Sequence, residues 1–355
     1  MRFSKKFMLN PISCIYLLSF VLLIFAPSPD QTQAKEKQIK LRFYYHASPQ
    51  GGQAEFIKTW IKRLEEATEG RLDIVFFPGA SLGPPMEAYK MIQSGVVDMG
   101  CIVVGFYPGR FLLTEVLQLP FLGLPSGVVG SRIYWDLYEK FPEFRNEYAD
   151  VKVLILYTDA PTPIGSNKAI RSAEDLKGLK IRALSGSPTE MIKILGGSPV
   201  LMSSGEIYTS MERNLIDGWM FSWEGCMGQR LQDVTKYFTT ANTYEAALCL
   251  LMNKDVWENL PQDIKKIIDE HSGIAGAEFF GKEFDRFNKL GIEKVRNMKG
   301  KEIIAITPEQ TNKWKEICRP IWDNWLKDME TRGLPGNAVL NEAQRLLDIY
   351  AKQYN

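Results

Sequence analysis

Leu179-Lys180-Ile181-Arg182-Ala183-Leu184-Ser185-Gly186-Ser187-Pro188-Thr189 is the stretch from which the architecture of this chain is read. Residues 180–184 read as a strand, the small residues after it as a turn, and 189–195 as a helix closed by Gly196-Gly197. An arginine near a strand end, followed by hydroxyl-bearing residues and a helix whose first amides carry partial positive charge, makes an anion receptor. Arg182 offers a planar, two-pronged donor that matches a carboxylate, and Ser185 a hydroxyl beside it. The competing reading is a surface arginine on a strand end, and spacing alone does not choose between them.

Working outward, the same rhythm continues. A strand at 199–202, a helix at 206–213 and a strand at 216–221 follow. Upstream, a strand at 41–45 precedes a helix over 53–68, in which Phe56, Ile57, Trp60, Ile61 and Leu64 recur at helical spacing up to Gly70. A strand at 72–77, a helix at 85–94 ended by Gly95 and a strand at 99–104 complete a βαβαβ unit, and the rhythm restarts at 151–157. Two such units predict an α/β protein of two lobes, with mixed sheets flanked by helices. Residues 261–298, with Ile264, Ile267, Ile268, Ile274, Phe280, Phe284 and Phe287 on apolar stripes, predict one long helix bridging both lobes. A strand at 302–307 and helices over 308–332 and 338–354 close the chain. The expected division is a leader over 1–34, lobe 1 over 35–158 plus 248–287, lobe 2 over 159–247 plus 288–330, and a C-terminal helix over 331–355. With no flexible linker in sight, lobes joined by strands suggest a hinge.

The length of 355 residues and 45% hydrophobic content suit two ordinary domains with real cores and exclude disorder. Lys and Arg number 43 against 42 Asp and Glu, so no general electrostatic pull toward nucleic acid exists. Arg2, Lys5 and Lys6 precede an apolar run from Ile12 to Ala26 that stops at Pro27 and Pro29. That run is short for a membrane span and reads as a secretory signal, placing the protein in the periplasm. Removing 1–34 leaves a net charge of −1. Cys101, Cys226, Cys249 and Cys318 show neither CxxC nor metal-like spacing and read as buried thiols, although export permits disulfides. Two histidines, His46 and His271, starve most metal and acid/base schemes, so binding is favoured over catalysis and no metal or cofactor is expected.

Two motifs have competing readings. Gly79-Ala80-Ser81-Leu82-Gly83 matches the G-x-S-x-G elbow of secreted serine hydrolases and lies between a strand and a helix. Pro84-Pro85 continues a tight elbow poorly, and no oxyanion-hole glycine run accompanies it. In Asp217-Gly218-Trp219-Met220-Phe221-Ser222-Trp223-Glu224, three aromatics either pack the core or wall a cleft for an organic ligand.

Gly178-Leu179-Lys180-Ile181-Arg182, Leu195-Gly196-Gly197-Ser198-Pro199-Val200, Gly205-Glu206-Ile207-Tyr208 and Ile216-Asp217-Gly218 together resemble the core pattern of the DctP-type solute-binding proteins of TRAP transporters. Gly95-Val96-Val97-Asp98-Met99-Gly100, Pro108-Gly109-Arg110-Phe111 and Leu119-Pro120-Phe121 look like the same family's first-lobe landmarks. The resemblance spans roughly residues 40–310. It implies a type II-like periplasmic binding protein whose cleft closes on an organic acid and delivers it to TRAP membrane permease subunits, working as a monomer or homodimer. Arg182 falls on the arginine that pairs with the ligand carboxylate in that family. This chain departs from the pattern at Phe221, where many members have asparagine, and near Pro161-Thr162-Pro163, where some carry a second arginine. A C4-dicarboxylate is therefore poorly served. Arg182 with Trp219, Phe221, Trp223, Tyr107 and Tyr44 describes a site for a monocarboxylate with an apolar or aromatic body, and His46 stands by as a hydrogen-bonding residue.

Overall fold

The computed structural model describes residues 38–354, so the expected leader at 1–34 lies outside the described residues. Eleven strands form two sheets among these residues: β1 Ile39–Tyr44, β2 Leu72–Phe77, β3 Met99–Val103, β4 Val151–Thr158, β5 Ile164–Ser166, β6 Lys180–Arg182, β7 Ser198–Val200, β8 Gly218–Met220, β9 Tyr237–Thr240, β10 Ala247–Asn253 and β11 Glu302–Ala305. The first sheet runs β2-β1-β3-β10-β4 and the second β11-β9-β5-β8-β6-β7. In the first, β2, β1 and β3 are parallel, as the strand-helix alternation requires, while β10 lies antiparallel between β3 and β4. All seven residues of β10 are buried. A strand covered on both faces carries no alternation, so Ala247-Leu248-Cys249-Leu250-Leu251-Met252-Asn253 has no period-two signature to betray it.

The sheets are joined by the segments 159–163 and 241–246, which run side by side: Asp159 N donates to Ala246 O at 3.1 Å and Thr162 N to Tyr244 O at 3.3 Å. The third connection is helical. The expected single helix over 261–298 is two, Gln262–Glu270 and Gly273–Arg296, because the chain turns at His271 and Ser272 into Gly273 at φ +58°. The second of these does span both halves. Phe280 and Phe284 pack on Phe56 at 5.0 and 5.2 Å, over the first sheet, whereas Val295 joins the core of the second with Trp219, Trp223 and Phe238. The helix Gly127–Lys140 crosses it at close range, its first amides held by Asp285: Gly127 N donates to Oδ1 at 2.7 Å and Val128 N to Oδ2 at 3.1 Å.

The C-terminal helices Pro308–Thr331 and Gly336–Gln353 return toward the first sheet. Trp322 and Trp325 donate their indole N–H to Pro120 O and Leu112 O, both at 2.9 Å. The helix expected over 85–94 begins as a 3-10 turn, Pro85–Glu87, before Ala88–Gln93. Cys101, Cys226, Cys249 and Cys318 are buried free thiols; burial pushes Cys101, Cys249 and Cys318 up to about 12. Among the described residues no helix is long and apolar enough to cross a membrane.

Candidate functional site

A cavity partly open to solvent is lined by residues that follow strands of both sheets and by the segments that join them. Its walls are built from chain that has just left parallel strands: Tyr45 and His46 follow β1, Phe106 follows β3, Leu184 follows β6, and Phe221 and Ser222 follow β8. Carboxyl ends of parallel strands are where α/β folds leave room for a ligand. Asp159, Tyr244 and Ala246, from the two connecting segments, form the back.

Arg182 ends β6 and is 1% exposed. Nε donates to Met202 O at 3.3 Å and Nη1 to Met220 O at 3.1 Å. The Phe221 ring lies against the guanidinium, 5.3 Å from centroid to Cζ, and packs so tightly on Gly225 that a side chain there would overlap it. No carboxylate pairs with Arg182 among the described residues; burial lowers its pKa to about 10, opposed only by Tyr244, so it stays charged at neutral pH. A desolvated cation without a counterion is costly and is stabilised by an anion entering the cavity.

His46 is 7% exposed, and its Nδ1 is buried without a hydrogen-bond partner. Burial, with Arg182 assisting against the Cys101 carbonyl, lowers it to about 4, so it is neutral at pH 7. Glu224 reaches across the cleft from the short helix Trp223–Gly228 and accepts the Gln53 amide at 2.8 Å, capping the helix Gly52–Ala67 of the opposite half. Burial pushes Glu224 up to about 7, while the Gln53 and Gly52 amides draw it down. Native protein thus holds this proton better than the unfolded chain does, so its contribution to stability is greatest at low pH and is lost as pH rises through about 7. Unliganded wild type should lose on the order of 2–4 kcal/mol more than Glu224→Gln between pH 5 and pH 8 in denaturant titrations. Parallel profiles for the two proteins would contradict the assignment.

Of the residues singled out in the sequence, Arg182, Phe221 and His46 line this cavity; Trp219, Trp223, Tyr107, Tyr44 and Ser185 do not. Trp219 donates to Thr235 Oγ1 at 2.9 Å, and Trp223 stacks on Phe238 at 5.3 Å, both in the second sheet's core. The strand ends at Met220 and Ser222 caps a new helix, so one run of aromatics is divided between core and cavity. Tyr44 and Tyr107 pin the turn before Ala88, their hydroxyls donating to Gly83 O at 3.0 Å and Pro85 O at 2.7 Å. Ser185 ties the halves together, its N–H and hydroxyl donating to Gly105 O at 3.0 and 2.5 Å. The helix start expected to receive an anion holds one of the protein's own: Glu115 Oε1 accepts from Ser187 N at 2.6 Å and from its hydroxyl at 2.8 Å. Ser81 sits on an exposed turn closed by backbone bonds from Ser81 N to Pro78 O and Gly83 N to Ala80 O. His271 bonds its own helix, through Nδ1 to Ile267 O. Sequence reading passed over Tyr45, Asp159, Ser204 and Tyr244. Tyr45 and Ser204 sit beside a strand end and a helix start, where a positional rule finds them, whereas Asp159 and Tyr244 carry no local signal.

Residues 43–328 match the model of DctP, the bacterial extracellular solute-binding protein family 7. The chain belongs to this family. The family-7 chain is 26% identical over 336 residues to the outer membrane transporter protein TsaT of Comamonas testosteroni, covering 93% of this chain and 95% of that protein. A TRAP solute-binding protein from Rhodoferax ferrireducens, solved with copurified benzoate, superposes with a TM-score of 0.85 at 28% identity, covering 90% of this chain and all of that one. A marine metagenome TRAP solute-binding protein specific for aromatic acids, solved with metahydroxyphenylacetate, gives 0.84 at 27% identity, over 88% of this chain and 99% of that one. The fold and family are those of TRAP solute-binding proteins.

Proposed function

We propose that this TRAP solute-binding protein captures an aromatic monocarboxylate outside the cytoplasmic membrane, closes its two halves around it and passes it to TRAP permease subunits. The observation that carries this reading is Arg182: buried, charged and without a counterion among the described residues, at the wall of the cavity. A carboxylate there supplies the missing charge, with the buried, unpartnered Ser204 hydroxyl on the same wall as a further donor. Arg182 is the one arginine in the lining; Val103, Phe106, Leu184, Phe221, Leu248 and Phe284 supply an apolar share of the wall beside polar groups that include Asp159 and Glu224, which suits a ligand with one carboxylate and a largely apolar body. The benzoate and metahydroxyphenylacetate bound by the two structural relatives have that composition.

Mass spectrometry of acids released on denaturing the purified protein, followed by calorimetric titration, tests the reading. Benzoate-class acids should bind at micromolar concentration or better, and succinate should bind at least a hundredfold more weakly. Preferred binding of a dicarboxylate would reject it. Phe221→Ala should weaken the aromatic acid roughly tenfold by removing the ring that covers ligand and guanidinium. Unchanged affinity in that variant would take Phe221 out of the contact surface. Tryptophan fluorescence should respond weakly to ligand, since Trp219 and Trp223 face the core.

A further inference from the structure

We propose that His46 recognises a hydroxyl group on the body of the ligand, so that this receptor selects hydroxylated aromatic monocarboxylates over their unsubstituted parents. The inference rests on the carboxylate reading above and adds the ligand group that a second residue of the same cavity receives. His46 lies at the end of β1 in the first sheet and Arg182 at the end of β6 in the second, and both face the same cavity. An acid whose carboxylate is held at Arg182 therefore lies in a cavity that the first sheet also lines. What waits there is Nδ1 of His46, a polar atom buried with no partner among the described residues. Buried polar atoms are almost always paired, and one beside a ligand cavity is paired by ordered water or by the ligand group that displaces it.

The chemistry narrows what that ligand group is. A second carboxylate would be drawn by an imidazolium, but burial and the nearby guanidinium keep this ring neutral. A neutral imidazole presents Nδ1 either as N–H or as a lone pair, according to tautomer. A hydroxyl both donates and accepts, so it satisfies Nδ1 in either form. A purely apolar ring satisfies neither, leaving the nitrogen desolvated and unpaired, a loss on the order of 5- to 150-fold in affinity. A site built around such a polar atom discriminates against the ligand lacking its partner far more strongly than an apolar pocket does against one extra hydroxyl.

Calorimetric titration of the full protein with benzoate and with 2-, 3- and 4-hydroxybenzoate tests this. The best hydroxybenzoate should bind wild type at least tenfold more tightly than benzoate. In His46→Phe, which keeps a planar ring without nitrogen, that preference should fall to within threefold, because benzoate no longer leaves a nitrogen unpaired and a ligand hydroxyl no longer finds one. His46→Asn, which places an amide atom near the position of Nδ1, should retain part of it. A wild-type preference below threefold overturns the proposal whatever the variants do, and so does a preference that survives in His46→Phe. Binding of none of these acids by wild type overturns the aromatic-acid reading itself, and this one with it. Equal binding of benzoate and hydroxybenzoates removes only the role of His46.

Discussion

Replacing Arg182 with methionine is expected to lower the affinity for an aromatic monocarboxylate by roughly a hundred- to several-thousand-fold. Leaving a desolvated carboxylate without its cation costs about 3–5 kcal/mol, and each 1.4 kcal/mol is a factor of ten. Methionine is the informative choice because it fills a similar volume without charge. Its effect on the unliganded protein should be small. Two hydrogen bonds are lost, to Met202 O and Met220 O, but so is the cost of holding an unpaired guanidinium at 1% exposure. Calorimetry and thermal unfolding of the same preparations separate these effects. Undiminished affinity would place the carboxylate elsewhere. A midpoint many degrees lower, together with lost binding, would make Arg182 a structural strut instead of a ligand contact.

The second large effect is on stability. The helices Gly127–Lys140 and Gly273–Arg296 meet backbone to backbone: a Cβ on Gly281 would stand 2.5 Å from Val128 Cα and 2.6 Å from Gly127 O. No side chain can yield there, because the obstructing atoms are main chain. Gly281→Leu must push the helices apart, and that also breaks the Asp285 cap on Gly127 and Val128. Overpacking of about 1–3 kcal/mol and the lost cap of ~1 kcal/mol together predict a loss of about 3 kcal/mol, a thermal midpoint lower by roughly 4–6 °C in a chain of this length. A leucine variant melting within 2 °C of wild type would show that these helices do not touch as described. The helix Gly273–Arg296 reaches both sheets, so the same substitution should also weaken ligand binding, by altering how the halves approach.

The alternation of strands and helices was legible because it is a local property: Phe56, Ile57, Trp60, Ile61 and Leu64 recur every three or four residues, and the helix Gly52–Ala67 buries them. The break at Ser272 was not, since the apolar stripes on either side continue and only Gly273 at φ +58° interrupts them. β10 was passed over for the opposite reason, its seven residues being uniformly buried and therefore without a period. For the cavity, the landmark motifs pointed to the ends of β6 and β8, yet Trp219 and Phe221, two positions apart, part company where the strand stops at Met220. The helix after Arg182 reads as starting at Thr189 and receiving a ligand anion; it starts at Ser187, and the anion held there is Glu115, seventy-two positions earlier in the chain.

Sequence by itself determined the family, the α/β class and the presence of an arginine at a strand end, because each depends on residues within a few positions of one another. Tertiary structure alone decided that Arg182 has no counterion among the described residues, that Glu224 caps the helix Gly52–Ala67, that Glu115 fills the Ser187 site and that His46 lines the cavity with Nδ1 unpartnered among the described residues. Those are relations between segments up to 171 positions apart. Charge and hydrogen bonding act through space, and the distances that govern them exist only once the two sheets are brought face to face.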